Sequence, residues 1–168
     1  AGVREIPDGS NWGGGVERYL QGIGPAFWCA YALSTWVHDG TGKYPFDERI
    51  GLCLRLWNRA KELGRTYGPD AVPVPGDAFV LLYRNSRGRL TGQGHTGLVV
   101  ATAQSGTIYN SGEGNAGNRV KAGRRDTAEP VLAGFVDLYG DRNAVVSRFS
   151  RGLLQVRDTV SSTQGGTR

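Results

Sequence analysis

The sequence has 168 residues and a formal net charge of +5, with 39% hydrophobic and 21% charged residues. A chain of this length is long enough for one domain with its own hydrophobic core, and its ordinary composition excludes a disordered or fibrous protein. No apolar run approaches the roughly 20 residues that a membrane-spanning helix needs, so we expect no membrane partner.

The positive charge is unevenly distributed along the chain. Residues 1–70 hold eight Lys or Arg and eight Asp or Glu, whereas residues 71–168 hold twelve and seven. This asymmetry favours an anionic polymer as a partner, and both nucleic acid and anionic cell wall fit that description. A basic protein without a polymer partner is the competing interpretation. Because the chain contains no Met, we expect a processed protein or a piece of a longer one.

The first half of the sequence predicts helices. A short helix is expected at 16–20, and a second one, with a single apolar stripe, at 29–37. The strongest pattern predicts a helix at 47–63, where apolar residues recur at spacings of three and four. Asp47 at its start and Gly64 just after its end agree with the dipole and C-cap preferences of helices.

The second half of the sequence predicts strands. Apolar runs indicate strands at 78–83, 95–103, 107–110 and 131–138, with weaker candidates at 144–149 and 153–156. Helices followed by strands predict an α+β domain, in which N-terminal helices pack on a twisted antiparallel β-sheet. We assign 1–158 to this domain and 159–168 to a flexible C-terminal tail or the start of a linker.

The two cysteines differ in their surroundings. Cys29 follows a loop and begins a predicted helix, where free N–H groups and the helix dipole lower a thiol pKa and can stabilise an oxyanion. The alternative is a buried cysteine that packs as a small apolar residue. Cys53 falls in the middle of the 47–63 helix on its apolar stripe, which predicts core packing.

Of the two histidines, His95 is the candidate base. His38 is predicted at a helix end, where a cap or surface role suits it. His95 opens an apolar strand, and a strand is a rigid mount for a base. A base also needs a partner for its second ring nitrogen. Glu113 and Asn115 follow the next strand, and strand pairing could bring either one beside His95.

Four short motifs occur in the order and approximate spacing seen in CHAP domains, the cysteine- and histidine-dependent amidohydrolases and peptidases. They are Trp28-Cys29-Ala30, Pro75-Gly76-Asp77, Gly94-His95-Thr96-Gly97-Leu98-Val99 and Glu113-Gly114-Asn115. The segment Asn11-Trp12-Gly13-Gly14-Gly15 is also similar to the lead-in of many of these domains. The chain resembles this family over roughly residues 5–140.

The resemblance implies a papain-like fold and a thiol mechanism. Cys29 would be the nucleophile, His95 the base and Glu113 the residue that orients the base, while Asn115 matches a further polar position often counted in the site. CHAP domains mostly act as peptidoglycan amidases or endopeptidases in phage lysins, tail-associated lysins and bacterial autolysins. The resemblance therefore implies a monomeric hydrolase that cleaves an amide bond of peptidoglycan at the bacterial cell wall.

Such an enzyme would be secreted or released as a phage or virion-associated lysin, and a wall-binding domain could follow it in a longer chain. Aromatic candidates for lining a substrate groove are Trp12, Trp28 and Tyr109, with core packing as the alternative. Some members of the family bind Ca²⁺ in an Asp-rich loop before the cysteine. The acidic residues before Cys29 lack that pattern, so no metal and no cofactor are expected.

Three other functions compete with this interpretation. One is a papain-like cysteine protease or an acyltransferase toxin that acts on protein. Another is a non-catalytic wall-binding module in which Cys29 and Cys53 form a disulfide. The third is a nucleic-acid binder that uses the basic residues Arg84, Arg87, Arg89, Arg119, Lys121, Arg124 and Arg125. No nucleic-acid-binding motif accompanies them, so no nucleic-acid partner is expected. The residue pattern does not distinguish N-acetylmuramoyl-L-alanine amidase from endopeptidase activity.

Overall fold

A six-stranded antiparallel sheet and three α-helices make up residues 2–142, the part of the chain that the computed structural model describes. The helices are α1 (Glu17–Leu20), α2 (Cys29–Thr41) and α3 (Cys53–Glu62), and a 3₁₀ turn covers Pro45–Asp47. The strands are β1 (Thr66–Tyr67), β2 (Ala78–Arg84), β3 (Leu90–Thr102), β4 (Ile108–Glu113), β5 (Lys121–Asp126) and β6 (Leu132–Val136). The predicted α+β class is therefore confirmed.

The strand order in the sheet is β1-β6-β2-β3-β4-β5. The strands β2, β3, β4 and β5 are neighbours in sequence and in space, so they form an antiparallel meander. At its other edge β6 returns to pair with β2, and the short β1 completes the sheet beside β6. This order puts β3 between β2 and β4, where residues on β3 are supported from both sides.

The helix α2 begins at Cys29, as predicted, but it continues to Thr41. It ends at Gly42, whose φ of 76° is the left-handed conformation that a glycine C-cap supplies. The predicted end at residue 37 is therefore four residues too early. The short helix expected at 16–20 is confirmed as α1, with Val16 as its N-cap.

The helix predicted at 47–63 is wrong at its N-terminus. Asp47 lies in the 3₁₀ turn, and α3 begins only at Cys53. Between them, Ile50 is tied to α2 through the Ser34 hydroxyl, which donates to the Ile50 carbonyl at 2.7 Å and accepts from its N–H at 3.1 Å. These bonds use the backbone groups that a helix would need. Cys53 is consequently the first residue of a helix and not a mid-helix residue.

The strands predicted at 78–83, 95–103, 107–110 and 131–138 are confirmed as β2, β3, β4 and β6, but their bounds differ from the prediction. Strand β3 begins at Leu90, so His95 lies inside the strand, opposite Leu81 of β2. Strand β4 continues to Glu113, which was expected in the following loop. Strands β1 and β5 were not predicted; the segment of β5 has no apolar alternation, yet its backbone pairs with β4 along its whole length. The strands expected at 144–149 and 153–156 and the tail at 159–168 lie outside the described residues.

The core is divided by the sheet, because side chains along β2 alternate between its faces. Val80 packs with Leu33 of α2 and Leu56 of α3, whereas Phe79 packs with Tyr109 of β4 in a second cluster. A third cluster joins α1 to the start of α2. Among the described residues, no helix has the length and apolar character needed to cross a membrane.

A glycine allows α2 to pack closely on the loop that follows β4. A Cβ atom at Gly114 would overlap the Cβ of Ala32 and lie 3.1 Å from the Trp28 ring. We expect Gly114→Ala to lower the free energy of unfolding by about 1–3 kcal/mol, the usual cost of overpacking. Urea denaturation measures this change. The control is Gly112→Ala on β4, where an added Cβ meets nothing within 4 Å; equal losses in the two variants would contradict the prediction.

Candidate active site

Cys29 lies at the N-terminus of α2, a helix of 13 residues. Its sulfur therefore faces the positive end of the helix dipole and the first N–H groups of the helix, which have no partner within the helix. The residue is buried but not sealed, with 7% of its surface exposed. It lines a cleft, so a substrate carbonyl can approach the sulfur from solvent.

Cys53 lies directly beside Cys29. The two sulfur atoms are 3.7 Å apart, and both cysteines are free thiols. Since α3 begins at Cys53, the N-termini of two helices meet at this pair of sulfurs. The core role predicted for Cys53 is therefore incomplete, because it is buried but also lines the same cleft as Cys29.

The imidazole of His95 is hydrogen-bonded to the Glu113 carboxylate. The distance from His95 Nε2 to Glu113 Oε2 is 2.8 Å, and the two side chains are 12% and 2% exposed. The strand register explains the contact: Glu113 pairs with Gly97, two residues along β3 from His95. Glu113 is therefore the residue that contacts the second ring nitrogen of the candidate base.

The Glu113 carboxylate has three other hydrogen bonds. Arg125 on β5 donates to both of its oxygen atoms, each at 2.8 Å, and the Ser111 hydroxyl donates to Oε1 at 2.5 Å. Arg125 also contacts both carboxylate oxygens of Glu129. Gly123 makes room for this cluster, since a Cβ there would overlap Glu113 Oε1. A buried carboxylate with this many donors stays ionised.

The electrostatics follow from these contacts. Burial alone would raise the pKa of Glu113, but the hydrogen bonds from His95, Arg125 and Ser111 outweigh it and hold that pKa well below its usual range. Burial alone would lower the pKa of His95, but its hydrogen bonds with Cys29 and Glu113 outweigh burial and raise it to about 9. The imidazole is therefore protonated at neutral pH.

The pKa values of the two thiols are shifted in opposite directions. With Cys53 as the donor, the hydrogen bond between the sulfurs lowers the pKa of Cys29, and the nearby His95 imidazolium lowers it further, against the effect of burial. The same bond and its own burial raise the pKa of Cys53. Cys29 is thus the more readily ionised thiol and can pair as a thiolate with the His95 imidazolium, whereas Cys53 is the thiol that favours its proton.

Asn115 contacts the N-terminal segment instead of His95. Its Nδ2 donates to Asn11 Oδ1 at 3.1 Å. With the amide rotated by 180°, it donates to Glu5 Oε1 at 3.0 Å and accepts from the Trp28 backbone N–H at 3.3 Å. In either orientation the amide lies next to the residues that precede Cys29, so it can fix the start of α2.

The three aromatic candidates are placed differently from the expectation. Trp28 and Tyr109 are 0% and 1% exposed, so both lie in the core and neither lines a groove. Trp28 stacks on Tyr19 and donates from Nε1 to the buried Glu5 carboxylate at 2.8 Å. Trp12 is half-buried and packs against the same cluster. The aromatic side chains at the cleft are instead Phe27 and Tyr83.

The cleft at the sulfurs has a volume of about 150 Å³ and a mainly apolar wall. It is lined by Phe27, Cys29, Gly51, Leu52, Cys53, Tyr83, Gly92, Gln93 and Gly94. Leu52 and Gly92 also border a wider groove of about 510 Å³ along α3, which holds charged and polar residues such as Arg55 and Asn58. An extended ligand can therefore reach from the sulfurs into a polar groove.

Comparison with models of known protein families gives no match, and comparison with curated proteins gives none either.

The sequence patterns missed three parts of the site. Arg125 was read only as one of several basic residues, and Ser111 and Gly123 were not singled out. Ser111 carries a signal, because it is two residues from Glu113 on one strand and therefore shares its face. The partnership of Arg125 with Glu113 has no local signal, since it depends on the pairing of β5 with β4.

Loss of the Arg125 guanidinium should disable the site. In Arg125→Gln the buried Glu113 loses its main cation, so we expect about 3 kcal/mol of lost stability and a raised carboxylate pKa that weakens the hold on His95. Thermal unfolding and the rate of Cys29 alkylation measure these effects. Arg124→Gln is the matched control, because Arg124 is exposed on the same strand. If the two variants behave alike, Arg125 does not support the site.

The ion pair predicts the pH dependence of Cys29 reactivity. Because the pKa of Cys29 is lowered, its thiolate should persist as the pH falls, and iodoacetamide should alkylate it at pH 6 about tenfold or more faster than an ordinary thiol. In His95→Gln the rate at pH 6 should fall, because the stabilising cation is gone. The Cys29→Ala variant reports the background from Cys53. A wild-type profile with the midpoint of an ordinary thiol would contradict the ion pair.

Proposed function

We propose that this domain is a cysteine-dependent hydrolase with a papain-like CHAP fold, and that it cleaves an amide bond of bacterial peptidoglycan. The observation that carries the proposal is the proximity of Cys29 to His95, whose Nε2 lies 2.8 Å from the buried Glu113 carboxylate, together with the lowered pKa of Cys29. A nucleophile, a base and a residue that orients the base are the groups that amide hydrolysis through a thiol requires.

In the first step the Cys29 sulfur attacks the amide carbonyl carbon. The first N–H groups of α2, beside Cys29, can donate to the carbonyl oxygen as negative charge develops on it, so we assign them as the oxyanion donors. His95, already protonated, gives its proton to the leaving amine nitrogen as the C–N bond breaks. The product of this step is a thioester on Cys29 and a neutral imidazole.

In the second step water hydrolyses the thioester. The neutral His95 takes a proton from water, hydroxide attacks the carbonyl carbon, and the Cys29 thiolate leaves as the acid product forms. Glu113 accepts a hydrogen bond from the ring throughout, which keeps the imidazole in one orientation and stabilises its cationic form. Arg125 and Ser111 hold Glu113 in place, so they are positioning residues.

The substrate class rests on the resemblance of the four sequence motifs to CHAP domains, and the shape of the site agrees with it. The apolar cleft at Cys29 fits a short apolar side chain, such as the methyl group of alanine, next to the scissile bond. The adjoining polar groove fits a strand that carries charge and hydrogen-bonding groups. Peptidoglycan stems combine these features, and the domain would act on them at the bacterial cell wall.

A direct nucleic-acid role has less support. Arg125, one of the basic residues that suggested it, is engaged by Glu113 and Glu129 and is not free to contact phosphates. The protein-directed cysteine protease remains the competing function, because the same geometry would cut any accessible amide. The exposed Phe27 and Leu52 at the cleft would suit an apolar peptide.

Digestion of purified sacculi tests the proposal. Wild-type protein should clear the suspension, and Cys29→Ala should reduce clearing to background while it keeps the wild-type thermal unfolding curve, because the side chain it truncates is small. The matched control is Ser105→Ala in the exposed turn before β4. Mass spectrometry of the released fragments shows which bond is cut: a free N-acetylmuramoyl group indicates an amidase, and a cut stem peptide an endopeptidase.

Two outcomes would contradict the proposal. Full clearing by Cys29→Ala would show that the Cys29 thiol is not the nucleophile. No clearing by the folded wild-type protein, combined with Cys29-dependent cleavage of a denatured protein substrate, would assign the same site to a protein-directed protease.

A further inference from the structure

The hydrolytic mechanism uses one thiol, yet the cleft contains two. Cys53 makes no contact with His95 or Glu113 among the hydrogen bonds of the described residues, and its sulfur lies 3.7 Å from the nucleophile. Both sulfurs line the same cleft, which the exposed Phe27 and Leu52 border. A small oxidant can therefore reach the pair from solvent.

The chemistry of the pair is asymmetric. Cys29 is the more acidic thiol because its pKa is lowered by the hydrogen bond with Cys53, whereas the same bond and burial raise the pKa of Cys53. Thiolates are the form that peroxides oxidise, and a second thiol next to a sulfenic acid converts it to a disulfide before further oxidation occurs. The two sulfurs need to approach only to the disulfide bond length of about 2.05 Å.

We propose that Cys29 and Cys53 form a reversible redox site, in which peroxide converts the nucleophile to a Cys29–Cys53 disulfide and so turns the hydrolase off. The switching function rests on the proposed hydrolase activity, but formation of the disulfide does not. This differs from a structural disulfide, because the bond forms between two thiols that are free in the resting protein.

The reaction balances with hydrogen peroxide as the oxidant. The Cys29 thiolate attacks one peroxide oxygen, so that an S–O bond forms, the O–O bond breaks, and the departing hydroxide takes a proton to become water. The Cys53 sulfur then attacks Cys29 Sγ: the S–S bond forms, the S–O bond breaks, and the hydroxide leaves as water with the Cys53 proton. Two thiols are oxidised by two electrons, and one peroxide is reduced to two waters.

Reduction by an external dithiol reverses the change and restores both thiols. The position of Cys53 at the start of α3 suits this role. Neither thiol has to leave its helix, because both helix N-termini already converge on the pair. In the oxidised state the nucleophile is blocked, and it is also protected from conversion to the irreversible sulfinic acid.

Mass spectrometry of the intact protein tests the proposal without any substrate. After treatment with a few equivalents of hydrogen peroxide and blocking of free thiols, wild-type protein should lose the mass of two hydrogen atoms and yield a cross-linked peptide pair containing Cys29 and Cys53. Dithiothreitol should restore the two thiols and, on sacculi, the lost clearing activity.

Two single-cysteine variants test whether each thiol depends on the other during oxidation. In Cys53→Ala the same treatment should add two or three oxygen atoms to Cys29, and dithiothreitol should not remove them; in Cys29→Ala, Cys53 should stay a thiol. The proposal is overturned if wild-type Cys29 gains oxygen atoms at the same rate as in Cys53→Ala, or if the disulfide is already complete in untreated protein. If the disulfide forms in protein that does not clear sacculi, the redox site is supported and the proposed hydrolase activity is contradicted.

Discussion

The interaction on which the site depends is the pairing of a buried carboxylate, Glu113, with Arg125 and His95. A charge that is 2% exposed would be strongly disfavoured alone, and it is tolerated because the guanidinium and the Ser111 hydroxyl occupy its oxygens. That arrangement leaves one direction for the imidazole, whose Nε2 meets the carboxylate. Glu113 therefore orients the base and, together with the hydrogen bond between His95 and Cys29, raises the pKa of His95.

The thiol half of the site is built on different elements. The sheet carries the imidazole and the carboxylate, whereas two helices bring the sulfurs to the sheet by their N-termini. The tie between the segment before α3 and α2, through Ser34 and Ile50, accompanies the late start of the predicted long helix, which begins at Cys53 beside Cys29. The second cysteine is consequently both a core residue and a neighbour of the nucleophile.

The parts of the structure that could be predicted from sequence are those with a local signal. The start of α2, the strand that carries His95 and the proximity of Glu113 follow from helix periodicity, an apolar run and the pairing of neighbouring strands. The parts that could not be predicted depend on contacts distant in sequence. Strand β5 has no apolar alternation, so the sequence pattern predicted neither its pairing with β4 nor the position of Arg125 beside Glu113. The prediction that aromatic residues line a groove was wrong for another reason. Large aromatic side chains occur both in cores and in ligand grooves, so the sequence does not separate the two, and Trp28 and Tyr109 are in the core.

The division between sheet and helices has a consequence for dynamics. The Glu113 cluster is held by strand pairing on both sides, whereas the nucleophile depends on how closely α2 approaches the sheet and the loop after β4. Elements joined by packing open more readily than the centre of a sheet. A small shift of α2 would therefore separate the Cys29 sulfur from the imidazole while the carboxylate network stayed intact. Asn115, which joins that loop to the residues before Cys29, lies where it can limit such a shift. Asn115 would then contribute to the reaction by fixing the distance between Cys29 and His95, and not by a hydrogen bond to the base.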